Sequence, residues 1–380
     1  MPTPETRLPD PETPAVRPRR AKRLRLFLPA ALLVLLGAAW SIGWLVLRGR
    51  AEAELDQILA REAAAGRTWT CPDRSLGGYP FRFEVVCPSL AFERADFAAR
   101  LGRVVAVAEV YRPTHVILEV RGPLSVSRGP VTAGADWGLL QASVQVAVEG
   151  GRGRLDRLSV VADDLRGQAD AGAGSVALAA RHVEFHTRPD PARFAGEGAV
   201  DASLRAEGAT VPALDPVLGG TEPADVALDV TAGRAAGFGG GPFAAELERW
   251  RAAGGMVDVT LASVAKGPRR VKARGSLALD DAHRLAGRLD VEAAGLEAIV
   301  GPILAQRFGG ERGALVGGLI GGLLGAVRPR ENREARLEQA PQGGQPGEGP
   351  RLTPLPPLTL ENGRVRLGPF PLPVMLLPLY

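Results

Sequence analysis

Two cysteines, Cys71 and Cys87, are the residues of this 380-residue sequence whose chemistry is easiest to assign. They lie in TCPDRSLGGYPFRFEVVC, where Gly77, Gly78 and Pro80 predict a turn between two strand-like arms. In an oxidising compartment such a pair forms a disulfide, and a loop of this length contributes roughly 3 kcal/mol to stability. The alternatives are free thiols or a redox pair, although a redox pair normally appears as CxxC, which is absent. We predict a structural disulfide if this part of the chain lies outside the cytoplasm.

Histidines offer a second kind of chemistry, because two of the four, His182 and His186, occur in the sequence HVEFH. On a helix this spacing would suit zinc. The alternation of Val and Phe with polar residues instead predicts a strand, on which the two histidines share a face but stand about 13 Å apart, too far for one ion. We therefore predict a solvated strand face and no metal ligands, and we assign no ligand role to His115 or His283.

Motifs for catalysis and cofactor binding are missing from the sequence. There is no GxSxG elbow, P-loop, HExxH or dinucleotide fingerprint. Two acidic pairs, at 163–164 and 280–281, lie beside turn-like sequence and are interpreted as solvated loop carboxylates. We predict no catalytic residues and no cofactor, and an undetected hydrolase is the second alternative.

Charge is concentrated at the N-terminus. Residues 1–25 hold seven basic and three acidic residues, whereas the rest of the chain holds 39 of each and is formally neutral. Nucleic-acid binding requires a basic stripe that releases counterions, and the bulk of the chain has none. The sequence therefore indicates no nucleic-acid partner.

The elements that must position these residues begin with an apolar stretch at 26–47, LFLPAALLVLLGAAWSIGWLVL. Twenty-two residues at about 1.5 Å each span roughly 33 Å, enough for a hydrocarbon core of about 30 Å. Pro29 is expected in the first turn, where its missing N–H costs little. A cleaved signal peptide or a buried core helix is the alternative, but a signal core runs only about 7–15 residues. We predict an uncleaved transmembrane anchor.

Orientation follows from the charges that flank the anchor. Six Lys or Arg residues lie within 17–25, while Arg48 and Arg50 are soon followed by acidic residues. The positive-inside rule then places residues 1–25, a Pro-rich disordered tail, in the cytoplasm and the remainder in the periplasm. Residues 48–66 are strong helix formers and predict a short stalk.

Beyond residue 67 the hydrophobic period changes from helical to two. Alternating segments bounded by turn residues predict strands at 81–85, 104–110, 115–120, 142–148, 155–161, 176–185, 226–230, 257–264, 271–279 and 285–291. The fold class we predict is mainly β with a few helices: an N-terminal transmembrane helix followed by an extended, curved antiparallel β-sheet ectodomain at 67–337.

Helices are expected in few places, at 212–218, 243–253 and from 296 to 308. The apolar stretch 313–327 is too short for an ordinary membrane span and is interpreted as a buried helix or hairpin, with an interfacial segment as the alternative. Residues 338–352 read as a flexible linker. Residues 353–380 predict a C-terminal hairpin, with its turn at Asn362 and Gly363, and an apolar tail that returns to the ectodomain.

The segment CPDRSLGGYPFRFEVVCPSLAFE at 71–93 resembles the signature of a bacterial family called domain of unknown function 2125. Segments 250–268, 273–300 and 360–380 match the family pattern in kind, so the resemblance extends over most of the chain after the anchor. Segment 273–300 is also similar to the strand–turn–strand units of AsmA-like envelope proteins, whose sheets curl into a groove. The family resemblance implies a location and a fold and supplies no catalytic residues.

Together these observations predict a membrane-anchored periplasmic protein, single-pass in the inner membrane, that binds lipid or another apolar ligand in envelope maintenance. An assembly partner that acts through sheet edges or residues 369–380 is the main alternative.

Overall fold

The computed structural model of the chain describes residues 20–95, 97–150, 152–171, 174–215, 220–238, 242–295 and 352–380. It confirms the predicted fold class, a mainly β chain with few helices, one apolar N-terminal helix and a large open antiparallel sheet. The chain divides into two compact units, Met1–Ile58 and Leu59–Tyr380, and the second is called the β unit. The predicted helix at 296–308, the apolar stretch 313–327 and the linker as far as residue 351 lie outside the described residues.

Helix α1 runs without interruption from Arg20 to Ala64 and covers both the predicted anchor and the predicted stalk. By length and composition, the part of this helix from Phe27 to Ala64 could cross a membrane. The expectation that Pro29 lies in the first turn of the helix is wrong, because Pro29 lies in the helix interior. The preceding Arg, Lys, Ala and Leu residues favour helix and extend it by nine positions upstream of the proline.

The 21 strands of the described residues belong to one antiparallel sheet. The strands are β1 Thr68–Thr70, β2 Ser75–Gly77, β3 Arg82–Cys87, β4 Leu90–Arg94, β5 Phe97–Leu101, β6 Val104–Glu109, β7 Arg112–Val120, β8 Leu124–Arg128, β9 Val131–Asp136, β10 Leu139–Glu149, β11 Arg152–Asp170, β12 Ser175–Pro189, β13 Val200–Ala209, β14 Ala224–Ala232, β15 Val257–Lys266, β16 Arg269–Leu279, β17 Leu285–Ala294, β18 Thr353–Pro354, β19 Leu358–Glu361, β20 Arg364–Leu367 and β21 Phe370–Met375.

The strands from β3 to β11 form an antiparallel meander. Its strands are interrupted at neighbouring positions, which together form a line across the sheet, here called the break line. β3 continues into β4, β5 into β6, β7 into β8 and β9 into β10 across interruptions of two or three residues, and pairing resumes beyond each. β11 crosses the line and pairs with both β10 and β9. Gly102 lies at this line, where a Cβ would collide with the carbonyl oxygens of Arg121 and Gly122. Proline and glycine at the interruptions remove ladder hydrogen bonds and side-chain bulk, which explains the break.

The described helices after α1 are short. α2 covers Phe194–Glu197 and α3 covers Phe243–Ala252, close to the predicted helix at 243–253. Of the helix predicted at 212–218, a 3₁₀ turn at Pro212–Leu214 is present, and residues 216–219 lie outside the described residues. The turn predicted at Asn362 and Gly363 connects β19 to β20, and both residues have positive φ as this tight turn requires.

Candidate functional site

One face of the sheet carries an unbroken row of apolar side chains across twelve strands, here called the apolar row. Directly paired residues of antiparallel strands lie on the same face, so the row follows from the register. Its members, each paired with the next, are Leu76, Val85, Ala106, Leu118, Ala142, Val160, Phe185, Leu204, Leu228, Ala262, Ala273 and Val291. At about 4.8 Å between strands the row is roughly 50 Å long.

The apolar row is covered incompletely by the part of the chain that the structure describes. Leu76 and Ala273 are buried, whereas the other ten members keep part of their surface accessible. α3, the longer of the two described helices of the β unit, has ten residues and is about 15 Å long, which is far too short to cover the row. Contiguous apolar surface that stays accessible is a common place for proteins to contact other molecules.

The opposite face carries a polar groove of about 640 Å³ across β11 to β15. Ser159, His186, Ser203 and Asp229 are paired in one row across four strands and line it. A second row alongside contains Arg188, Asp201 and Thr231. Local sequence did not reveal this groove, because its signal is the register between strands and not a motif within one strand.

Charges in the polar groove are largely compensated by their neighbours. The Asp201 carboxylate lies 3.2 Å from Arg188 Nε and accepts a hydrogen bond of 2.8 Å from the Thr231 hydroxyl. Asp229 pairs with Arg205 at 2.7 Å. Both carboxylates are therefore engaged by neighbouring side chains, and the groove presents paired hydrogen-bonding groups.

His182 and His186 lie on strand β12, as their alternation with Val and Phe predicts. His182 Nδ1 lies 2.5 Å from Asp163 Oδ1, and its Nε2 lies 3.0 Å from Glu184 Oε1. His186 Nε2 lies 3.6 Å from the other Glu184 oxygen. The Glu184 contact first, and the Asp163 contact second, raise the pKa of His182. The described residues contain no group of three or more His, Cys, Asp or Glu side chains arranged to hold a metal ion.

The other two histidines are held by hydrogen bonding and stacking. His115 Nε2 lies 2.9 Å from the Ser143 hydroxyl on the neighbouring strand β10. The His283 ring stacks on Tyr380, with 4.3 Å between ring centroids, and its Nε2 lies 3.4 Å from Glu248. No sequence pattern indicates that His283, Tyr380 and Glu248 lie together, because these residues come from distant parts of the chain.

The two acidic pairs have different environments. The interpretation of 163–164 as loop carboxylates is wrong, because both residues lie inside β11. Asp163 binds His182, and Asp164 has positive φ at the line where the meander breaks. Asp280 and Asp281 do lie at the turn between β16 and β17. There Asp280 accepts hydrogen bonds from the Ala282 and Arg284 backbone N–H groups.

Cys71 and Cys87 form a disulfide, as the sequence predicts, with their Cα atoms 5.5 Å apart. Cys71 directly follows β1 and Cys87 ends β3, so the bond lies at the same break line as Gly102. The bond links the residue after β1 to the last residue of β3, beside the two short strands β1 and β2. The bond is consistent with an oxidising compartment.

Comparison with known proteins gives one match. The model of a family described as uncharacterized protein conserved in bacteria (DUF2125) matches residues 44–374. No curated protein and no solved structure matches the chain significantly, and the likeness of segment 273–300 to AsmA-like proteins is therefore still a prediction. Because the matched region is most of the sequence and includes the disulfide, the apolar row and the polar groove, the chain belongs to the DUF2125 family of uncharacterized bacterial proteins.

Proposed function

We propose that this protein binds the acyl chains of a phospholipid along the apolar row and acts in maintenance of the bacterial envelope. The observation that carries the proposal is the unbroken apolar row, ten of whose twelve members are partly accessible. Covering such a surface with hydrocarbon is favourable by about 25 cal/mol for each Å² removed from water. The row is long enough for an extended acyl chain, and the polar groove on the opposite face leaves the two sides of the sheet chemically distinct.

The proposal also gives the chain a location. α1 anchors it in the inner membrane, with the N-terminus in the cytoplasm and the β unit in the periplasm. The basic residues before the apolar stretch and the Cys71–Cys87 disulfide support this orientation. A membrane-tethered protein has phospholipid continuously available, which favours lipid as the apolar ligand.

The lipid proposal is tested on the full chain in vesicles of phosphatidylethanolamine and phosphatidylglycerol that contain a phospholipid with a photoreactive acyl chain. After illumination, mass spectrometry locates the labelled peptides. We expect label on α1 and on apolar-row strands such as β14 and β16. Label confined to α1 would contradict lipid binding by the β unit.

A matched pair of variants on β16 separates the two faces of the sheet. Leu277 lies on the apolar face and pairs with Gly287, whereas its neighbour Ser276 lies on the opposite face and pairs with Arg288. We expect Leu277→Gln to reduce labelling of β16 and Ser276→Gln to leave it unchanged. Equal effects of the two substitutions would show that labelling does not depend on the apolar face.

Orientation is tested separately with single cysteines, because both native cysteines are paired. An impermeant maleimide added to cells with a permeabilised outer membrane should label Asp281→Cys, whose side chain is fully exposed, and should not label Thr3→Cys. The reverse pattern would place the β unit in the cytoplasm. We assign no catalytic activity, and turnover of an envelope ester or glycan would favour the hydrolase alternative.

A further inference from the structure

The apolar face of the sheet continues beyond the apolar row to the last strand of the chain. Gly275, next but one to Leu277 on β16, pairs with Leu289, and the series then runs through Leu358, Leu367 and Phe370. β21, which contains Phe370, pairs with β20 on one side, and no strand of the described residues pairs with its other side. The apolar face therefore reaches an open edge at β21.

Exposure rises steeply at this edge. Leu360 on β19 and Val365 on β20 are 6% and 7% exposed, whereas Phe370 and Val374 on the same face of β21 are both 49% exposed. Six exposed apolar side chains lie within ten residues here and are called the C-terminal strip: Phe370, Leu372, Val374, Met375, Leu377 and Leu379. Phe370, Leu372 and Val374 lie on the apolar face, whereas Met375, which pairs with Arg364, lies on the opposite face. No charged residue occurs between Leu367 and Tyr380. Such a continuous exposed apolar strip marks a contact with another molecule.

The exposed residues of the strip are held in place. The Leu376 N–H donates to the Gly363 carbonyl at 2.8 Å, and the Leu379 N–H donates to the His283 carbonyl at 3.0 Å. Tyr380 donates a hydrogen bond to Glu248 on α3. The backbone of the strip is therefore fixed, so binding a molecule there costs less conformational entropy of the protein.

Backbone chemistry indicates what kind of molecule the strip accepts. Leu367 and Phe370 close a two-residue hairpin turn, so the next pair, Arg366 and Pro371, does not exchange backbone hydrogen bonds. The N–H that Pro371 lacks would have pointed to the open edge, and Pro373 also has no N–H. Prolines at an edge prevent the addition of another strand. Recognition through side chains alone suits hydrocarbon better than a peptide.

Charges beside the strip suit the other end of a phospholipid. Arg364 and Arg366 are exposed on β20, the strand that pairs with β21. A guanidinium binds phosphate oxygens well. Because Arg364 and Arg366 alternate with Val365 and Leu367, they lie on the face opposite the apolar row, and an acyl chain that crosses the β21 edge onto the apolar face would leave its phosphate beside them.

From these observations we infer that the C-terminal strip is the entry site through which a phospholipid acyl chain reaches the apolar row. The inference rests on the proposed lipid binding and adds a route to it. Residues of the strip contact the acyl chain while it is loaded, and the apolar row holds the acyl chain afterwards. A charge on the strip should therefore slow loading without changing how much lipid is bound at equilibrium.

The test measures the rate of loading and the final amount separately. Full chain in vesicles is mixed with donor vesicles that carry the photoreactive phospholipid, and samples are illuminated over time. We expect Leu372→Glu and Val374→Glu, which lie on the same face as Phe370, to slow labelling of apolar-row peptides by roughly tenfold, because a charge opposes passage of hydrocarbon, with the same plateau as the unsubstituted protein. Ile117→Glu is the matched control, since Ile117 is 49% exposed on β7, away from the strip, and lies on the face opposite its neighbour Leu118 of the apolar row.

The outcomes separate this inference from the proposed function. Unsubstituted protein that never acquires label on the apolar row overturns lipid binding and with it the entry site. Row labelling at the same rate in all variants overturns the entry site and leaves lipid binding standing. A lower plateau at an unchanged rate also overturns the entry site, because the strip would then be part of the binding surface. A loading rate that depends on the density of protein in the vesicles overturns it as well, because the strip would then contact a second copy of the protein.

Discussion

Tyr380 donates a hydrogen bond of 2.8 Å to the carboxylate of Glu248, across 132 residues of sequence. The same carboxylate accepts two hydrogen bonds, of 2.8 and 3.0 Å, from Arg251. Donation by Arg251 first, and by Tyr380 second, lowers the pKa of Glu248 to about 2. The contact joins the end of the C-terminal strip to α3, and it explains why exposed apolar residues there occupy a defined position.

The substitution Tyr380→Phe should raise the pKa of Glu248 and destabilise the β unit at neutral pH. A depressed carboxyl pKa stabilises the fold above the unfolded value of 4.5, and this contribution is lost as pH falls toward about 2. The difference in unfolding free energy between the two proteins should therefore shrink as pH falls below 4.5. Urea unfolding at neutral and acid pH measures it.

Tyr111→Phe is the control for this substitution, because Tyr111 also donates to a carboxylate, Glu109, but only two residues away. Hydrogen exchange of the Leu379 N–H should become faster in Tyr380→Phe and stay unchanged in Tyr111→Phe. Unchanged exchange in both proteins would show that Tyr380 does not fix the strip.

His182 should titrate above an ordinary histidine, because its two ring nitrogens face Glu184 and Asp163. Substitution Glu184→Gln should lower the pKa of His182, as measured by NMR of the imidazole ring. Glu292→Gln on β17, far along the sheet, should leave it unchanged. Since the raised pKa stabilises the fold fully below the unfolded value of 6.5, that contribution should disappear as pH rises through the folded value. The same pKa in Glu184→Gln and the unsubstituted protein would contradict the assignment.

Loss of the disulfide should destabilise the β unit by roughly 3 kcal/mol, the value expected for closing a loop of about sixteen residues. The double variant Cys71→Ser, Cys87→Ser tests this by urea unfolding, with the unsubstituted protein before and after reduction as reference. Reduction should reproduce the effect of the double variant and should leave the variant itself unchanged. A variant as stable as the oxidised protein would show that neighbouring contacts alone hold the β1–β2 edge.

Several strands with a clear apolar face were predicted, whereas short strands with few large apolar residues were not. β15 to β17 alternate clearly and lie within two or three residues of their predicted bounds. β5, FAARL, and β8, LSVSR, were missed because five residues with Ala, Ser and Arg carry little intrinsic strand preference. They are strands because β4 and β9 pair with them, which is information outside the local sequence.

The candidate site was less predictable than the fold. The sequence analysis predicted a strand around Leu228 but none around Leu204, and the pairing of these two residues depends on the register of β13 with β14, which includes a shift between Ala206 and Ala209. A register error of one residue would have moved every apolar side chain of a strand to the other face. The apolar row and the polar groove thus became visible only when each strand was aligned with its neighbours.

Two glycines in β16 and β17 allow the strands of the apolar face to approach closely. Gly275 has φ of +153°, and a Cβ there would collide with the Arg288 carbonyl oxygen, while a Cβ on Gly287 would collide with that of Ser276. We expect Gly275→Ala to cost roughly 2 kcal/mol or more of unfolding free energy, because both the backbone conformation and the strand contact are strained.

The control for Gly275→Ala is Gly77→Ala, another strand glycine, whose added Cβ would have no neighbour within 4 Å. It should change stability by only a fraction of the Gly275→Ala effect. If Gly275→Ala were equally mild, β16 and β17 would have room to separate, and the close approach would not be required for the fold. Photoreactive lipid labelling of the folded Gly275→Ala fraction would then report whether the apolar face depends on this spacing, because a shifted β17 would displace Leu289 and Val291 from the apolar face.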